Sequence, residues 1–279
     1  MLRIITDAAA DMPLSKGEEL NVKIVPLTVS FGEKHYKALY ELKNDDFYKM
    51  LTTEKEPPKT AQVSPFEFEE IFKEVIDAGD EAIVILISSD MSGTYQSAMI
   101  AVDNLETDKI TVIDSRNVSA AEGLLVVEAA KMRDQGMSRE DIAKKIYEYI
   151  PNLRLYILLD TLEYLKRGGR ISPTVAFVGE VIKLRPIITV EEGKVTIADK
   201  AKGNKAGVKK LMSKFEEHPI LEGTEVVVGH SDALDRAVEL KNSIEEQGIC
   251  KIYDNWLLGP IVGTHAGPQA IAVYYISKN

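Results

Sequence analysis

Cysteine, histidine and net positive charge are all scarce in this sequence. Its 279 residues include one cysteine, Cys250, and four histidines, and its formal net charge is -10 at pH 7. One cysteine excludes an internal disulfide and a cysteine-rich metal site, and it fits a reducing cytosol. The histidines are far apart and none forms an HExxH-type pair, so no metal site is expected. The acidity argues against nucleic acid as a partner, because phosphate contacts require clustered lysine and arginine.

Long hydrophobic runs are also missing. No apolar run approaches the roughly 18 residues that a membrane span needs. The first residues, MLRIITD, enter a strand pattern at once, without the charged flank and long apolar core of a secretory signal. The sequence therefore predicts a cytoplasmic protein.

What the chain does contain is a regular alternation of short apolar runs with helical patterns. This alternation is typical of βαβ units with mostly parallel sheets, and the length favours two domains. We predict an α/β fold with two α/β domains, one over residues 1–151 and one over residues 152–279. The predicted strands cover residues 2–6, 22–31, 82–87, 110–113, 155–159, 187–190, 225–229, 249–253 and 270–276.

Two local patterns are more specific than the alternation. The run Ser64-Pro65-Phe66-Glu67 combines a serine cap, a proline at the first helical position and a glutamate three residues after the cap. It predicts a helix start. The run Glu191-Glu192-Gly193 lies between two apolar stretches and predicts an antiparallel hairpin.

The motif SSDMSGTYQSA, residues 88–98, gathers hydroxyl groups beside Gly93 directly after a predicted strand. Open α/β sheets bind ligands at the carboxyl ends of their strands, and backbone N–H groups at a helix start favour a carboxylate or phosphate. An ordinary strand-to-helix turn with a serine cap explains the same residues. Ser92 is poorly placed as a nucleophile, because Met91-Ser92-Gly93 lacks the earlier glycine of a GxSxG turn.

Two further motifs carry polar groups. In GPIVGTHAGP, residues 259–268, glycines recur every four positions around His265, which predicts a loop that approaches a ligand closely. A purely structural histidine is the alternative. In TLEYLKRGGRISP, residues 161–173, a short helix should end at Gly168-Gly169 and be followed by Arg170. Its basic cluster fits either a solvated turn or a contact with an anion or an acidic partner.

The segment over residues 174–184 is apolar on nearly all sides, so as a helix it must be buried. It either packs in the core or lines an internal cavity. The candidate lining residues are Phe177, Val178, Val181 and Ile182.

Taken together, these motifs resemble the DegV family, whose members include the fatty-acid-binding subunits of bacterial fatty acid kinase. The resemblance runs the length of the chain, through TDAAADM (6–12), PKTAQVSP (58–65), SSDMSGTYQSA, TLEYLKRGGRI (161–171) and GPIVGTHAGP. It implies an apolar tunnel, at and near the domain interface, that holds a long-chain fatty acid without any cofactor. The residues it implies for the carboxylate are Thr60, Ser92, Thr94 and His265.

The resemblance also implies a partner. A separate ATP-dependent kinase would phosphorylate the bound carboxylate to an acyl phosphate, with Arg170 in the contact region and a transient membrane contact during lipid exchange. The chain itself has no Walker A or kinase signature, and it is therefore expected to be non-catalytic. Ala8 and Ala61 stand where the family usually has serine, and Ala61 removes one hydroxyl from the expected head-group site.

Two other functions remain open at this point. The first is a phosphotransfer subunit resembling the substrate-binding subunit of dihydroxyacetone kinase, in which His265 would hold a carbonyl compound covalently in a compact polar pocket. The second is a hydrolase that uses Ser92 and His265.

Overall fold

The computed structural model describes residues 1–174, 184–248 and 252–278, except for the side chains of residues 252–255. The strands are β1 (Leu2–Asp7), β2 (Val22–Val25), β3 (Thr28–Phe31), β4 (Lys34–Lys37), β5 (Lys59–Ala61), β6 (Glu81–Leu86), β7 (Ile110–Asp114), β8 (Leu153–Leu158), β9 (Arg185–Glu191), β10 (Lys194–Ala201), β11 (Val226–Ser231), β12 (Ile252–Leu257) and β13 (Ala270–Ile276). The helices are α1 (Leu14–Glu19), α2 (Asn44–Thr53), α3 (Pro65–Asp77), α4 (Thr94–Leu105), α5 (Ala120–Asp134), α6 (Arg139–Tyr149), α7 (Glu163–Arg167), α8 (Asn204–Glu217), α9 (Leu234–Glu246) and α10 (Pro260–Ala266).

The amino-terminal half contains the parallel sheet that the sequence predicts. Its four strands lie in the order β2-β1-β6-β7, and all three pairings are parallel. Strand β6 is buried along almost its whole length, as expected for a strand covered on both faces. The predicted strand over residues 22–31 is divided at Pro26, which cannot donate a ladder hydrogen bond. Its second part, β3, lies in a separate antiparallel sheet of order β4-β3-β5.

The carboxyl-terminal half has a six-stranded sheet of order β10-β9-β8-β13-β11-β12. The prediction of a mostly parallel sheet is wrong here, because only β11 and β12 pair in parallel. The predicted hairpin between β9 and β10 is confirmed, and its turn residues Glu192 and Gly193 both have positive φ, of 48° and 80°. The last strand, β13, lies antiparallel between β8 and β11. That insertion accounts for much of the antiparallel pairing.

Helix predictions made from local signals are confirmed. The Oγ atom of Ser64 accepts a hydrogen bond from the backbone N–H of Glu67, whose carboxylate accepts from the N–H of Ser64, so α3 begins with a capping box. Helix α4 begins at Thr94, inside the motif over residues 88–98. The apolar helix predicted over residues 174–184 lies almost entirely outside the described residues. The same holds for its candidate lining residues, Phe177, Val178, Val181 and Ile182.

The six-stranded sheet separates two apolar cores. Along β13, Ala272, Tyr274 and Ile276 pack into the large core that also contains the parallel sheet, whereas Val273 and Tyr275 pack into a smaller core on the opposite face. This alternation follows from the two-residue period of a strand. The larger of the two cores is therefore shared by the two halves of the chain. The chain passes between them at a short helical turn, Ile150–Asn152, and the domain boundary at residue 151 stays a prediction.

Candidate functional site

A largely apolar cavity of about 310 Å³ lies between the two halves, among the carboxyl end of β6, strands β8 to β10 and helix α10. Its volume is near the lower end of the range of roughly 300–1,000 Å³ that is usual for small-molecule sites. Most of its walls are aliphatic. The apolar lining residues include Ile87, Val118, Leu155, Ile157, Ile188, Val190, Val195, Ile261 and Val262. The polar lining residues are Thr60, Gln62, Ser92, Arg170 and His265.

Ser92 reaches the cavity from the turn between β6 and α4, and Thr94 supports it. Thr94 is fully buried, and its hydroxyl oxygen lies 2.9 Å from Ser92 Oγ. The backbone N–H of Thr94 donates to the same Oγ atom at 3.3 Å. When the Thr94 hydroxyl donates to Ser92 Oγ, as its backbone N–H does, the Ser92 proton is free to point to a ligand. Of the two residues, Ser92 lines the cavity and Thr94 lies next to it.

His265 and Thr60 lie next to each other in the wall of the cavity. His265 Nε2 lies 3.1 Å from Thr60 Oγ1, and its Nδ1 has no hydrogen-bond partner among the described residues. Burial, and secondarily the positive charge of Arg170, lowers the pKa of His265 to about 4. The imidazole is therefore neutral at pH 7 and has one N–H to donate. A neutral ring with one N–H can hydrogen-bond a carboxylate or a carbonyl oxygen as a donor.

The ring of His265 packs against Gly168, the residue that ends helix α7. A Cβ atom added to Gly168 would lie 2.0 Å from His265 Nδ1, so the ring packs directly on the backbone of this residue. Arg170 follows two residues later. Its Nη1 donates to the carbonyl of Gly168 at 2.6 Å and its Nε to that of Met91 at 3.3 Å. The arginine thus joins the segment that carries Ser92 to the segment that holds His265.

Gln62 is a polar residue of this site that the sequence motifs did not single out. Its Nε2 donates to Ser97 Oγ at 2.9 Å, and a Cβ atom on Gly93 would meet its Oε1 at 2.0 Å. A glycine is therefore needed at position 93 because the side chain of Gln62 packs against its backbone, and not only because of the turn. The neighbouring Ala61 also lines the cavity, at the position where a serine was expected from the family pattern.

The prediction that residues 259–268 form a loop is wrong, because the structure has helix α10 there. Pro260 occupies the first helical position and Gly267, with φ of 74°, follows the last residue, which is the usual placement of these two residue types. The glycine between them allows dense packing: a Cβ on Gly263 would lie 2.6 Å from Tyr48 Oη. The four-residue glycine spacing thus belongs to a tightly packed helix.

A second cavity of about 290 Å³ lies next to this polar group and is lined by Thr60, Arg170 and His265 as well. Its other lining residues include Pro57, Pro58, Lys59, Tyr164 and Arg167. Arg170 and Lys59 are exposed. We call this second cavity the outer depression. The shared residues form the boundary between it and the apolar cavity.

Two kinds of site are not found in the described part of the chain. Among residues 1–174, 184–248 and 252–278, no group of three or more acidic, histidine or cysteine side chains could hold a metal ion. Within the same ranges, no helix combines the length and apolar character needed to cross a bilayer.

Comparisons with known proteins identify the family. A family model described as "Uncharacterised protein, DegV family" matches residues 1–278. The chain belongs to the DegV family. A DegV domain-containing protein from Caldanaerobacter subterraneus subsp. tengcongensis is 35% identical over 278 residues, covering 99% of this chain and 99% of that protein.

Solved DegV structures share the fold described above. A DegV family protein from Thermus thermophilus, whose structure is described as showing fatty acid binding, matches with a TM-score of 0.90 and 26% identity over 99% of each chain. A stearic acid-binding protein from Eubacterium ventriosum matches with a TM-score of 0.87 and 25% identity, over 100% of this chain and 99% of that one. The two α/β halves of this DegV protein are thus those of known fatty-acid-binding structures.

Proposed function

We propose that this DegV protein binds one long-chain fatty acid, with the acyl chain in the apolar cavity and the carboxylate at Thr60, Ser92 and His265. The observation that carries the proposal is the composition of the cavity wall. A single connected group of hydrogen-bonding side chains interrupts a lining that is otherwise aliphatic. A ligand with one polar end and a long apolar body satisfies both parts. The fatty acids bound by the solved relatives have this composition.

The acyl chain should dominate the binding free energy. Each buried methylene contributes about 0.8 kcal/mol, so ten of them contribute roughly 8 kcal/mol before ordering costs. A hydrogen bond to the charged carboxylate adds about 1.5–3 kcal/mol, but this gain is largely offset by removing the carboxylate from water. The tail therefore sets affinity, and the polar group sets the orientation of the ligand.

We further propose that the protein presents the carboxylate to a separate ATP-dependent fatty acid kinase. The outer depression supports this proposal, because Thr60 and His265 line it on one side and the apolar cavity on the other. A carboxylate held between them is reachable from outside while the chain stays buried. Arg170 and Lys59 give this opening a positive charge that suits an acidic partner surface or a phosphate group.

The two competing functions fit the cavity less well. A carbonyl compound held covalently on His265 needs a compact polar pocket, whereas most of this lining is aliphatic. A serine hydrolase needs a hydrogen bond between its nucleophile and its base. Among the described residues, Ser92 pairs with Thr94 and His265 pairs with Thr60, so the two side chains are not paired with each other.

The decisive experiment is to denature the purified protein, extract it into organic solvent and identify the extracted compound by mass spectrometry. Native mass measured beforehand gives the stoichiometry. We expect one long-chain fatty acid per chain. In the delipidated protein, saturated acids of increasing length should bind about fourfold more tightly per added methylene until the cavity is filled. A small polar compound, or a covalent adduct on His265, would refute the proposal.

A further inference from the structure

The segment TDAAADM contains two buried aspartates that the proposed head-group site does not use. Asp7 ends strand β1 and is fully buried, and Asp11, which follows the short helical turn Ala8–Ala10, is 3% exposed. Burying a carboxyl group is costly unless its oxygens are hydrogen-bonded. The groups that bond to these oxygens therefore indicate what the two residues do.

Asp7 is bonded to the chain that leads to Ser92. Its Oδ1 accepts from the backbone N–H of Ala9 at 2.7 Å, and its Oδ2 accepts from that of Ile87 at 3.0 Å. Ile87 lines the apolar cavity and directly follows β6. The next residue, Ser88, accepts at its carbonyl from the N–H of Ser92 at 3.1 Å. One buried carboxyl group thus fixes the point at which the Ser92 turn begins.

Asp11 is bonded to the start of the helix that carries His265. Its Oδ1 accepts from the N–H of Gly259, the residue that caps α10, at 2.7 Å. Its Oδ2 lies 2.6 Å from the hydroxyl of Ser119, which in turn lies 2.9 Å from Tyr274 Oη. Asp11 also leaves little room for a side chain at position 259, since a Cβ atom on Gly259 would be 3.0 Å from Asp11 Oδ1. Asp11 thereby connects the parallel sheet to α10.

We propose that Asp7 and Asp11 are positioning residues of the head-group site. Asp7 sets the position of the Ser92 turn, and Asp11 sets the position of the His265 helix. Two aspartates four residues apart, on one rigid segment, thus fix the spacing of hydrogen-bond donors that come from opposite halves of the chain. This inference rests on the proposed function, since it assigns a role in holding the carboxylate ligand.

A general role in stability is the competing explanation, and Glu122 provides the control. Its carboxyl group is fully buried beside the same segment and accepts from Thr6 Oγ1 at 3.1 Å. Its other oxygen, Oε2, has no partner among the described residues. Glu122 therefore shares the burial of the two aspartates without a hydrogen bond to the Ser92 turn or to α10. Its replacement tests what loss of a buried carboxyl group does by itself.

The experiment compares Asp11→Ala, Asp11→Asn and Glu122→Ala for affinity toward a defined saturated fatty acid and for the titration of His265 by NMR. Asp11→Ala should weaken binding about tenfold or more, because a displaced His265 no longer offsets the cost of removing the ligand carboxylate from water. It should also move the His265 midpoint from about 4 upward, toward the ordinary value near 6.5, as water reaches the ring. His218 serves as an internal control that should not shift.

The other two variants separate positioning from stability. Asp11→Asn keeps an oxygen for the Gly259 N–H and can donate its NH₂ to Ser119, so both affinity and the His265 midpoint should remain close to those of the wild type. Glu122→Ala should also leave both unchanged, whatever it does to the denaturation midpoint. An unchanged His265 midpoint in folded Asp11→Ala, or the same shift in Glu122→Ala, overturns the proposal for Asp11.

Asp7 is tested by Asp7→Asn, which also serves if Asp11→Ala does not fold. Both Asp7 oxygens accept backbone N–H groups, so an asparagine directs its NH₂ at one of those donors and must disturb Ala9 or Ile87. We expect about a tenfold loss of affinity, because a displaced Ser92 leaves the ligand carboxylate desolvated without that hydrogen bond, while the His265 midpoint stays unchanged. Wild-type affinity in Asp7→Asn overturns the role of Asp7. If the wild-type protein binds no fatty acid, the proposed function fails, while the His265 titration still decides whether Asp11 positions α10.

Discussion

Replacing Asp11 by asparagine should change how the stability of the protein depends on pH. Burial raises the pKa of Asp11 from 3.8 to about 8, and the negative charge of Asp7 acts in the same direction, against the hydrogen bonds from Ser119 and Gly259. The folded protein therefore keeps this carboxyl group neutral at pH 7, whereas the unfolded chain ionises it near its ordinary value. An asparagine resembles the neutral form and does not titrate.

The sign and size of the effect follow from proton linkage. Because the folded-state pKa is raised, the stability that Asp11 contributes is fully present below the unfolded-state pKa and is lost as pH rises toward the folded-state pKa near 8. The loss is about 1.4 kcal/mol per pH unit, so between about pH 5 and pH 7 the wild type should lose roughly 3 kcal/mol relative to Asp11→Asn.

Other buried acids do not obscure this difference. Burial also raises the pKa of Asp7, to about 6, and that of Glu122 well above its usual range. Both groups are present in the wild type and in the variant, and residue 11 carries no charge in either folded protein over most of this pH range. Their contributions therefore cancel when the two proteins are compared at the same pH.

Urea denaturation of both proteins at several pH values between about 5 and 7 measures the effect, with the free energy of unfolding obtained by linear extrapolation. Asp80→Asn is the matched control. Hydrogen bonds from the N-terminal ammonium and from Arg3 lower the pKa of Asp80, so its contribution is constant over this range and should show no pH trend. A pH-independent difference between wild type and Asp11→Asn would mean that Asp11 is ionised in the folded protein and that burial does not raise its pKa to about 8.

Two further predictions concern the head-group site. Ser92→Ala should reduce acyl phosphate formation by a supplied fatty acid kinase more than it reduces fatty acid retention. Ser89→Ala, on the same turn but bonded to Asp114, should affect neither, and a Ser92 variant that loses its lipid yet still supports phosphorylation contradicts the prediction. Gly168→Ala should weaken fatty acid binding about tenfold in a ligand titration, because its Cβ would displace the ring of His265 and leave the desolvated carboxylate without that hydrogen bond. Unchanged affinity would show that the ring relaxes without loss.

The parts of the fold that local sequence determines could be predicted. Ser64 and Glu67 form their capping box within four residues, and Glu192-Gly193 has the residue types of a two-residue hairpin turn. Such features depend only on residues that are neighbours along the chain, so a short stretch of sequence is enough to predict them. The parallel strands of the amino-terminal half were recognisable for the same reason, because each apolar run is followed by a helical pattern.

The antiparallel character of the second sheet could not be predicted in this way. It depends on β13, which inserts between β8 and β11, and β8 lies more than one hundred positions earlier in the chain. Apolar runs in parallel and antiparallel strands look alike when both faces are buried, as they are along β13. Helix α10 was missed because its glycines, which signal a loop in isolation, are required by the contacts of Gly263 with Tyr48 and Phe47.

The candidate site, too, could be predicted only where the local sequence is distinctive. The motifs singled out Ser92, His265 and Arg170 as polar residues in distinctive surroundings, and the structure brings all three to one cavity. Thr60 was implied only by family resemblance, since nothing in its local sequence marks it. Gln62 lies inside the motif PKTAQVSP, but no sequence feature marked it as a site residue, and its contact with Gly93 became evident only in the structure.

The electrostatics of the site favour a ligand that is held by its tail and stays accessible at its head. His265 is neutral at pH 7, so it can hydrogen-bond a carboxylate without adding charge. The positive charge near the carboxylate comes from Arg170, which is exposed to solvent, where its attraction for an anion is weakened by water and salt. Head-group attraction is therefore modest, and the buried methylenes supply most of the affinity. These electrostatics agree with the function proposed above, in which the acyl chain holds the fatty acid and the carboxylate stays available for phosphoryl transfer by a partner.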